Sequence, residues 1–577
     1  MINAMIAKAF VRIADLLEID GADGFRVNSY RRAARVLKDT TEDVAALAVE
    51  GTLTKLPGIG KGAASRIQQF IETGKIDVLT ELQAKLPADL PRLLDIPGLG
   101  PKKIAAMHAK LGVCGFADMK RVIESGELAD LSGFGATSVK RIVEGMTFLE
   151  RSAGRTPIGI AFPIAEALLE RVRNLPGVQR AEIAGSLRRG KETIGDIDLL
   201  CEAANGAEVV EAFTRFEDVS RILAAGRTKG SVTVALEDGR ELQIDLRVVL
   251  KESYGAALQY FTGSKEHNVR LRERAVKRKL RLNEYGLYEG ERQIAGSREE
   301  DIYKQLDAPF VAPELREDRG EFDDKGDAPK LVTEADIRGD LHMHTVASDG
   351  KHTIDEMALA AKDSGYKYIA ITDHSKSSTI ANGLGVERLE KHLTAIREAD
   401  ERIVGIKIFA GTECDILPDG TMDYPDDLLA KCDWVIASIH SAMGKGGSGK
   451  LSPTERTLAA IENRYVTMIA HPTGRLINRR APMEMDMAAI VKAAADNDTV
   501  LEINANWQRL DLKDVHVRMA LAAGATIAIN TDAHSTEGIG VLRYGIMTAR
   551  RGGARKRDVL NCLTLAALEK RIAARRA

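Results

Sequence analysis

Hydrophobic and polar positions follow three rhythms along this chain. In residues 1–85, apolar positions recur at helical spacing in IAKAFVRIADLLEI and again in YRRAARVLKDT, which predicts short helices. Further on the period shortens to two: AEIA, DIDLLC and LQIDLRVVL read as strands with one apolar face. Beyond residue 336 seven apolar stretches recur, each ending in a polar cluster: DLHMHT, YIAITDHS, IFAGTECD, DWVIASIHS, VTMIAHPT, TVLEINAN and TIAINTDAH. Helical segments separate them, which predicts repeated strand–helix units around a parallel sheet, closed as a barrel. In such a fold chemistry gathers at the carboxyl ends of the strands, where these polar clusters fall.

A glycine-rich turn recurs in the helical region. Leu56-Pro57-Gly58-Ile59-Gly60-Lys61-Gly62 opens a helix, Ile96-Pro97-Gly98-Leu99-Gly100-Pro101-Lys102-Lys103 repeats it, and Leu131-Ser132-Gly133-Phe134-Gly135 is a weaker echo. Intervals of 40 and then 35 residues mark an internal repeat of a helix–turn–helix unit. Alternate glycines bare the backbone N–H groups of a helix N-terminus, where a phosphate fits. Lys61, Lys102 and Lys103 add charge beside Gly58, Gly60, Gly98 and Gly100, so these positions are expected to hold a DNA backbone.

Composition narrows this picture. At 577 residues the chain exceeds the roughly 250–300 that one core supports, so several domains are expected. A net charge of −2 gives no global attraction to nucleic acid, so any basic surface is local. Residues 265–281 supply one, with eight basic side chains against two acidic, expected to track a template backbone. The charged run at 314–330 predicts an interdomain linker, and residues 151–163 a Gly/Pro-containing link out of the helical region. GKGGSGK at 444–450 reads as a flexible basic loop. Cys114, Cys201, Cys414, Cys432 and Cys562 form no C-x-x-C pair and read as reduced thiols. No window approaches a membrane span and MINAMIAKAF is no signal peptide, so a cytoplasmic protein without a membrane partner is expected, weakly favoured as a monomer.

The candidate chemistry has two centres. Asp196 and Asp198 project from one face of a strand, and side-by-side carboxylates repel unless cations lie between them. Such hard oxygen ligands suit Mg²⁺ or Mn²⁺. Asp245, projecting from the apolar run 242–250, offers a third carboxylate. The Gly185-Ser186 turn and Arg189 would hold a triphosphate through backbone N–H, hydroxyl and guanidinium. D-x-D alone is more often a strand edge or cap; the turn upstream and the aspartate downstream set this one apart. The second centre is the barrel. Six of the eleven histidines (His342, His344, His374, His440, His471 and His534) sit in the polar clusters, joined by Asp349, Glu413 and Asp532. Imidazole with carboxylate suits Zn²⁺, Mn²⁺ or Fe²⁺, and nine ligands suffice for up to three ions. The remaining histidines, His108, His267, His352, His392 and His516, read as structural or surface groups.

The run GS-x-RRG-x-E-x-x-GD-x-D resembles the palm signature of family X DNA polymerases, within the nucleotidyltransferase superfamily. Tyr260-Phe261-Thr262-Gly263-Ser264 resembles that family's sugar-discriminating turn, and the glycine-rich repeats resemble its helix-hairpin-helix motifs. The resemblance implies that Asp196, Asp198 and Asp245 bind two metals. It implies further that Gly185, Ser186, Arg189 and Gly195 meet the triphosphate, Tyr260, Phe261 and Gly263 the deoxyribose, and Asn268 and Arg272 the nascent base pair and minor groove. Gln243 departs from the family, some members of which carry arginine there. Arg66 stands where the family's first domain can carry a lyase lysine, and an arginine forms no Schiff base. The order H-x-H, D, H, E, H, H, D, H resembles the polymerase and histidinol phosphatase (PHP) family, a distorted (β/α)₇ barrel. That family implies one ion held by His342, His344, Glu413 and Asp532, a second by Glu413, His440 and His471, and a third by Asp349, His374 and His534, with Mn²⁺ or Zn²⁺ as the metal.

The expected fold class is therefore multidomain α+β and α/β. Residues 1–85 are expected to form an N-terminal helical DNA-binding domain and 86–155 a second, fingers-like helical domain. A nucleotidyltransferase palm is expected at 156–255, a thumb at 256–315, a linker at 316–335 and the PHP domain at 336–577. The resemblance implies a polymerase that fills short gaps in DNA repair from dNTPs, with a PHP 3′→5′ exonuclease that also processes 3′ ends or abasic sites. A nucleotidyltransferase with another acceptor, a DNA-tethered small-phosphoester phosphatase, and a PHP domain serving only as a scaffold are the rival readings.

Overall fold

The computed structural model describes residues 2–40, 44–96, 99–152, 154–322, 329–444 and 451–576. The chain forms two compact units, one of Met1–Ala153 with Asn478–Ala481, the other of Gly154–Ile477 with Pro482–Ala577.

The first unit is helical. Helix α1 (Ile2–Ile19) buries Ile6, Phe10, Ile13 and Leu17, a stripe at i, i+4, i+7 and i+11. Helix α2 (Gly24–Asp39) packs on it, started by Asp23, whose carboxylate accepts from the N–H groups of Phe25 and Arg26. The three glycine repeats share one backbone hydrogen bond. Ile59, Leu99 and Phe134 each donate a backbone N–H to the carbonyl three residues earlier, at 3.0 Å in every copy, and each side chain is buried. Each turn runs directly into a helix: α3 (Lys61–Thr73), α4 (Pro101–Leu111) and α5 (Ala136–Ser152). The third copy is thus a structural equal of the others, because its buried aromatic and paired glycines survive where its proline does not. Gly98 lies outside the described residues.

The second unit opens with helix α6 (Ile158–Arg173). Pro163, expected in a link, lies inside this helix. Its missing N–H forfeits one backbone bond, which the buried stripe Ile158, Ala161, Ala165, Leu168 and Val172 outweighs. Five strands follow: β1 (Val178–Ile183), β2 (Asp196–Ala203), β3 (Val219–Ala225), β4 (Lys229–Ala235) and β5 (Glu241–Val249). They lie in the order β1-β2-β5-β4-β3. Only β2 and β5 run parallel, in a register that sets Asp198 opposite Asp245 and Asp196 opposite Gln243. The basic turn between β1 and β2 holds a short helix, α7 (Gly185–Arg188). Tyr260, Phe261 and Thr262 close helix α8 (Tyr254–Thr262) instead of forming a free turn, and Ser264 caps α9 (Lys265–Lys277). A three-stranded antiparallel sheet (Arg281–Asn283, Gly286–Glu289, Arg292–Ala295) follows, which the sequence pattern did not announce.

The expected linker is no solvated tether in its first part. Arg316 is fully buried against Glu299, Glu317 pairs with Arg189, Arg319 with Asp514, and Glu321 with His267. Its charges looked like solubility in sequence; in space Arg316, Glu317 and Arg319 meet opposite charges and Glu321 a buried imidazole. Residues 323–328 lie outside the described residues.

The seven apolar stretches become seven parallel strands in chain order. They are β6 (Gly339–Met343), β7 (Tyr368–Ile371), β8 (Lys407–Asp415), β9 (Trp434–Ser438), β10 (Met468–Ile469), β11 (Val500–Asn504) and β12 (Ile527–Asn530). A bridge between Met343 and Ala533 brings the last strand beside the first, so the barrel is nearly closed. The palm packs on loops of this barrel: Trp507 covers Gly159, where a Cβ would lie 2.0 Å from the indole, and Leu510 and Tyr544 join the palm core.

Trp434 is wholly buried among Tyr368, Phe409, Met468 and Leu568, and its Nε1 donates to the Leu341 carbonyl at 3.0 Å. Trp434→Ala is expected to cost the barrel about 3–5 kcal/mol, read as a lowered midpoint in urea denaturation followed by PHP-domain circular dichroism.

Candidate active sites

The palm site is built on the β2–β5 pairing. Asp196 and Asp198 share the half-exposed face of β2 because their neighbours Ile197 and Leu199 fill the core. Gly185 has a positive φ of 64°, and a Cβ there would stand 2.1 Å from the Asp198 carboxylate, so the turn approaches the acids as only glycine allows. Asp245 is satisfied within the protein: Lys229 Nζ lies 2.8 Å away, Ser231 Oγ donates at 2.6 Å and Gln243 Nε2 at 2.9 Å. These contacts overcome burial and hold its carboxyl below the usual range. Asp198 has no such help. Burial, then Asp196 and Asp245, push it up to about 7, and Asp196 is raised by burial and by Asp245. The triad is two carboxylates short of counter-charge, which fits divalent ions. Lys229, Ser231 and the helper role of Gln243 were not identified from sequence; the alternation of GSVTVA in the β4 register is the only signal that pointed there.

The expected nucleotide contacts are brought around this triad with different freedoms. Ser186 is half-buried in α7, and Gly195 directly precedes Asp196. Arg189 donates Nε to Glu317 at 3.1 Å and Nη1 to the Thr262 carbonyl. Arg188 forms a two-pronged pair with Glu299 at 2.7 and 2.9 Å, tying α7 to the thumb. Tyr260 and Phe261 meet edge to face at 5.2 Å, and Gly263 caps α8 with φ 70° beside the Arg189 guanidinium. Asn268 is buried, accepting from Gln259 and donating to the Tyr260 carbonyl, both at 2.7 Å. It therefore braces the α8–α9 corner. Arg272 is exposed on α9.

In the helical unit, Gly58, Gly60 and Gly100 stand at the starts of α3 and α4, with Lys61 and Lys102 exposed. Lys103 is instead engaged with the third turn, donating to Ser138 Oγ at 2.8 Å over the Phe134 ring.

At the barrel mouth the nine expected ligands converge. Glu413 is the hub: Oε2 lies 3.5 Å from Nε2 of both His342 and His344, and Oε1 3.5 Å from His440 and 3.0 Å from His471. Asp532 Oδ1 stands 3.5 and 3.2 Å from His342 and His344. Asp349 faces His374 at 3.6 Å and His534 at 3.4 Å. His374 Nδ1 also lies 2.9 Å from Glu413 Oε2, without hydrogen-bond alignment. His471 and Asp532 both adopt positive φ, 28° and 54°, conformations that a non-glycine residue keeps only where surroundings enforce them.

His342 Nε2, both ring nitrogens of His344, His374 Nδ1 and both Glu413 oxygens are buried without a hydrogen-bond partner. Orphaned buried donors and acceptors are costly, and metal coordination is what satisfies this set. Burial would lower His342, but Glu502, Asp532 and Glu413 raise it well above its ordinary value. His374 is likewise raised, against burial, to about 9 by Glu413, whereas burial and then His534 and His374 push His344 down to about 4. Glu413 and Asp532 resist burial and stay well below the usual range because imidazoles surround them.

A second layer was missed in the sequence. Glu502 accepts from His342 Nδ1 at 2.8 Å and Asp415 from His440 Nδ1 at 2.7 Å, fixing which ring nitrogen faces the centre, and Asn504 donates to Asp532 at 2.9 Å, holding its carboxylate. Glu502 sits within VLEIN, and a lone acid in an otherwise apolar strand was the available signal. Asp373 holds His392 at 2.7 Å, consistent with a structural His392.

Segments of the chain match described families. Residues 1–76 match the family described as helix-hairpin-helix domain, 90–146 a SAM-like helix-hairpin-helix tandem, 257–317 the DNA polymerase beta thumb, and 340–506 the PHP domain. The chain is 38% identical over 567 residues to "DNA polymerase/3'-5' exonuclease PolX" of Bacillus subtilis, covering 98% of each chain. Proteins named "Probable phosphatase" match parts of the chain. That of Syntrophotalea carbinolica is 27% identical over 38% of this chain and 90% of its own, and that of Caldicellulosiruptor saccharolyticus 30% over 34% and 79%. With a full-length relative at this identity, and with thumb, helix-hairpin-helix and PHP segments of its own, the chain belongs to the family X DNA polymerases that carry a C-terminal PHP domain.

Proposed function

We propose that the palm extends a primer across a short DNA gap while the PHP barrel trims 3′ ends, in repair of base lesions. One observation carries this reading: a single chain holds two separate clusters that divalent ions would relieve, palm carboxylates short of counter-charge and barrel ring nitrogens and carboxylate oxygens buried without hydrogen-bond partners. Asp196, Asp198 and Asp245 would hold Mg²⁺ or Mn²⁺ in the palm, and the nine barrel ligands up to three Mn²⁺ or Zn²⁺ ions. Bound there, the ions supply charge neutralisation at the phosphorus and activation of the attacking oxygen.

The protein's own groups do the rest. Arg189 and the N–H groups of Gly185 and Ser186 neutralise and orient a triphosphate. Tyr260 and Phe261 present an aromatic edge where a sugar would sit. In the barrel, Arg509 Nε lies 3.6 Å from Asp532 and supplies a cation at the mouth. The helix-hairpin-helix turns hold backbone phosphates without reading bases, which suits lesion-directed rather than sequence-directed binding. Cleavage at abasic sites and removal of 3′ blocks are further outcomes of the same barrel chemistry. The phosphatase-named relatives favour a second reading for the barrel alone, in which it hydrolyses phosphomonoesters.

A 5′-labelled, one-nucleotide-gapped duplex with Mn²⁺ tests the division of labour. Asp245→Ala is expected to abolish extension with dNTPs and leave shortening intact, and His342→Ala the reverse; either variant losing both products would refute two independent sites. Protons compete with metal at Asp198, whose folded-state value near 7 is raised. The Mg²⁺ needed for half-maximal extension is therefore expected to be flat above about pH 7 and to climb toward tenfold per unit below it. Arg66 in α3 predicts no borohydride-trapped adduct with a 5′-deoxyribose phosphate end at that position; a trapped adduct lost on replacing another lysine would show a different lyase route.

A further inference from the structure

A charged clasp lies behind the 185–190 turn, outside both clusters of candidate metal ligands. Helix α10 (Leu542–Arg551) belongs to the barrel half, yet its last residue serves the palm. Arg551 is buried, with 4% of its side chain exposed. Its Nη1 donates to the Arg189 carbonyl at 2.7 Å and to Glu317 Oε1 at 3.0 Å, while Nη2 and Nε donate to Asp514 at 2.8 and 3.1 Å. Glu317 in turn holds Arg189 Nε at 3.1 Å and Lys191 Nζ at 3.2 Å. Gly190, at φ 64°, lets the turn lie against α10: a Cβ there would come 3.1 Å from Met547.

We propose that Arg551 and Glu317 are positioning residues for the polymerase reaction, locking the 185–190 turn and the Arg189 guanidinium so that the barrel half completes the palm's triphosphate site. This rests on the reading that Arg189 meets the triphosphate. A free arginine side chain gives up about 1.5–2 kcal/mol of rotamer entropy when ordered. Here Nε and Nη1 of Arg189 are already engaged by Glu317 and Thr262, so the ordering precedes nucleotide binding. Among the described residues Nη2 makes no hydrogen bond, leaving a donor free of these two anchors. The clasp gathers Arg189, Lys191, Arg551 and Arg319 around only two carboxylates, Glu317 and Asp514, so it stays positive beside the turn, as a polyanion requires. Burial opposes ionisation of Glu317, but Arg551, Arg189 and Lys191 hold it at about 2, so the clasp persists across the working pH range.

The test uses full-length Glu317→Gln, Arg551→Ala and Arg551→Lys, with Arg189→Ala as the gauge of the triphosphate reading. Steady-state gap filling at saturating DNA gives kcat and KM for the dNTP; manganese-dependent hydrolysis of bis(p-nitrophenyl) phosphate reports the barrel. Glu317→Gln and Arg551→Ala are each expected to raise KM roughly tenfold with a smaller change in kcat, and no more in combination than singly. Arg551→Lys should recover part of the loss, and barrel hydrolysis should be unchanged in all three. A KM within twofold of wild type in the near-isosteric Glu317→Gln, or a fall in kcat at constant KM, would overturn positioning even if Arg551→Ala misfolds. If Arg189→Ala itself leaves KM unmoved, the triphosphate reading fails and the proposal with it. If only the gauge responds, the positioning role alone is wrong.

Discussion

Both sites bury groups that the protein leaves unsatisfied, like charges in the palm and unpartnered polar atoms in the barrel. Strand pairing brings Asp198 opposite Asp245 with Asp196 alongside, and barrel closure drives Glu413 and Asp532 into a nest of imidazoles. Neither arrangement is stable on its own terms: carboxylates crowd carboxylates, and ring nitrogens are sealed away from water with nothing to bond. The surrounding structure enforces both, through the parallel β2–β5 register in one case and a closed seven-stranded wall in the other. Cation binding is where that stored cost is recovered, so metal dependence is written into the packing.

The two halves solve the problem of precision by borrowing from one another. The loop that follows barrel strand β11 carries Trp507 and Leu510, which enter the palm core. Arg475, four residues beyond His471, pairs with Glu192, four before Asp196. The barrel helix α10 supports the turn that precedes the palm acids. Each site is thus backed by rigid elements of the other half, and rigidity at a charged site is what holds phosphates and ions in reactive geometry.

The metal-suited side chains were legible because their chemistry is local in sequence. D-x-D on an alternating strand, and polar clusters at the ends of apolar runs, announce themselves through period and residue type alone. What stayed hidden was pairing across distance. Lys229 looks like any loop lysine until β4 lies beside β5, and Glu317 like solvated linker until Arg189 and Arg551 close on it. The weak third glycine turn was undervalued because its proline is absent, although Phe134 preserves the buried contact that sets the geometry. Helix α6 ran through Pro163 because its apolar stripe outweighed one missing bond.

The close approach of Trp507 to Gly159 has a consequence for how such a chain can be divided. The covalent crossing between the halves falls in the charged segment after the thumb, yet the physical seam runs elsewhere, through an indole seated on bare backbone. Cutting the crossing leaves Trp507, Leu510 and Tyr544 on one fragment and Ile158 and Phe162 on the other, both newly wetted. Fragments made that way carry complementary sticky faces, so they behave as partners to be reunited by co-expression and not as independently soluble modules.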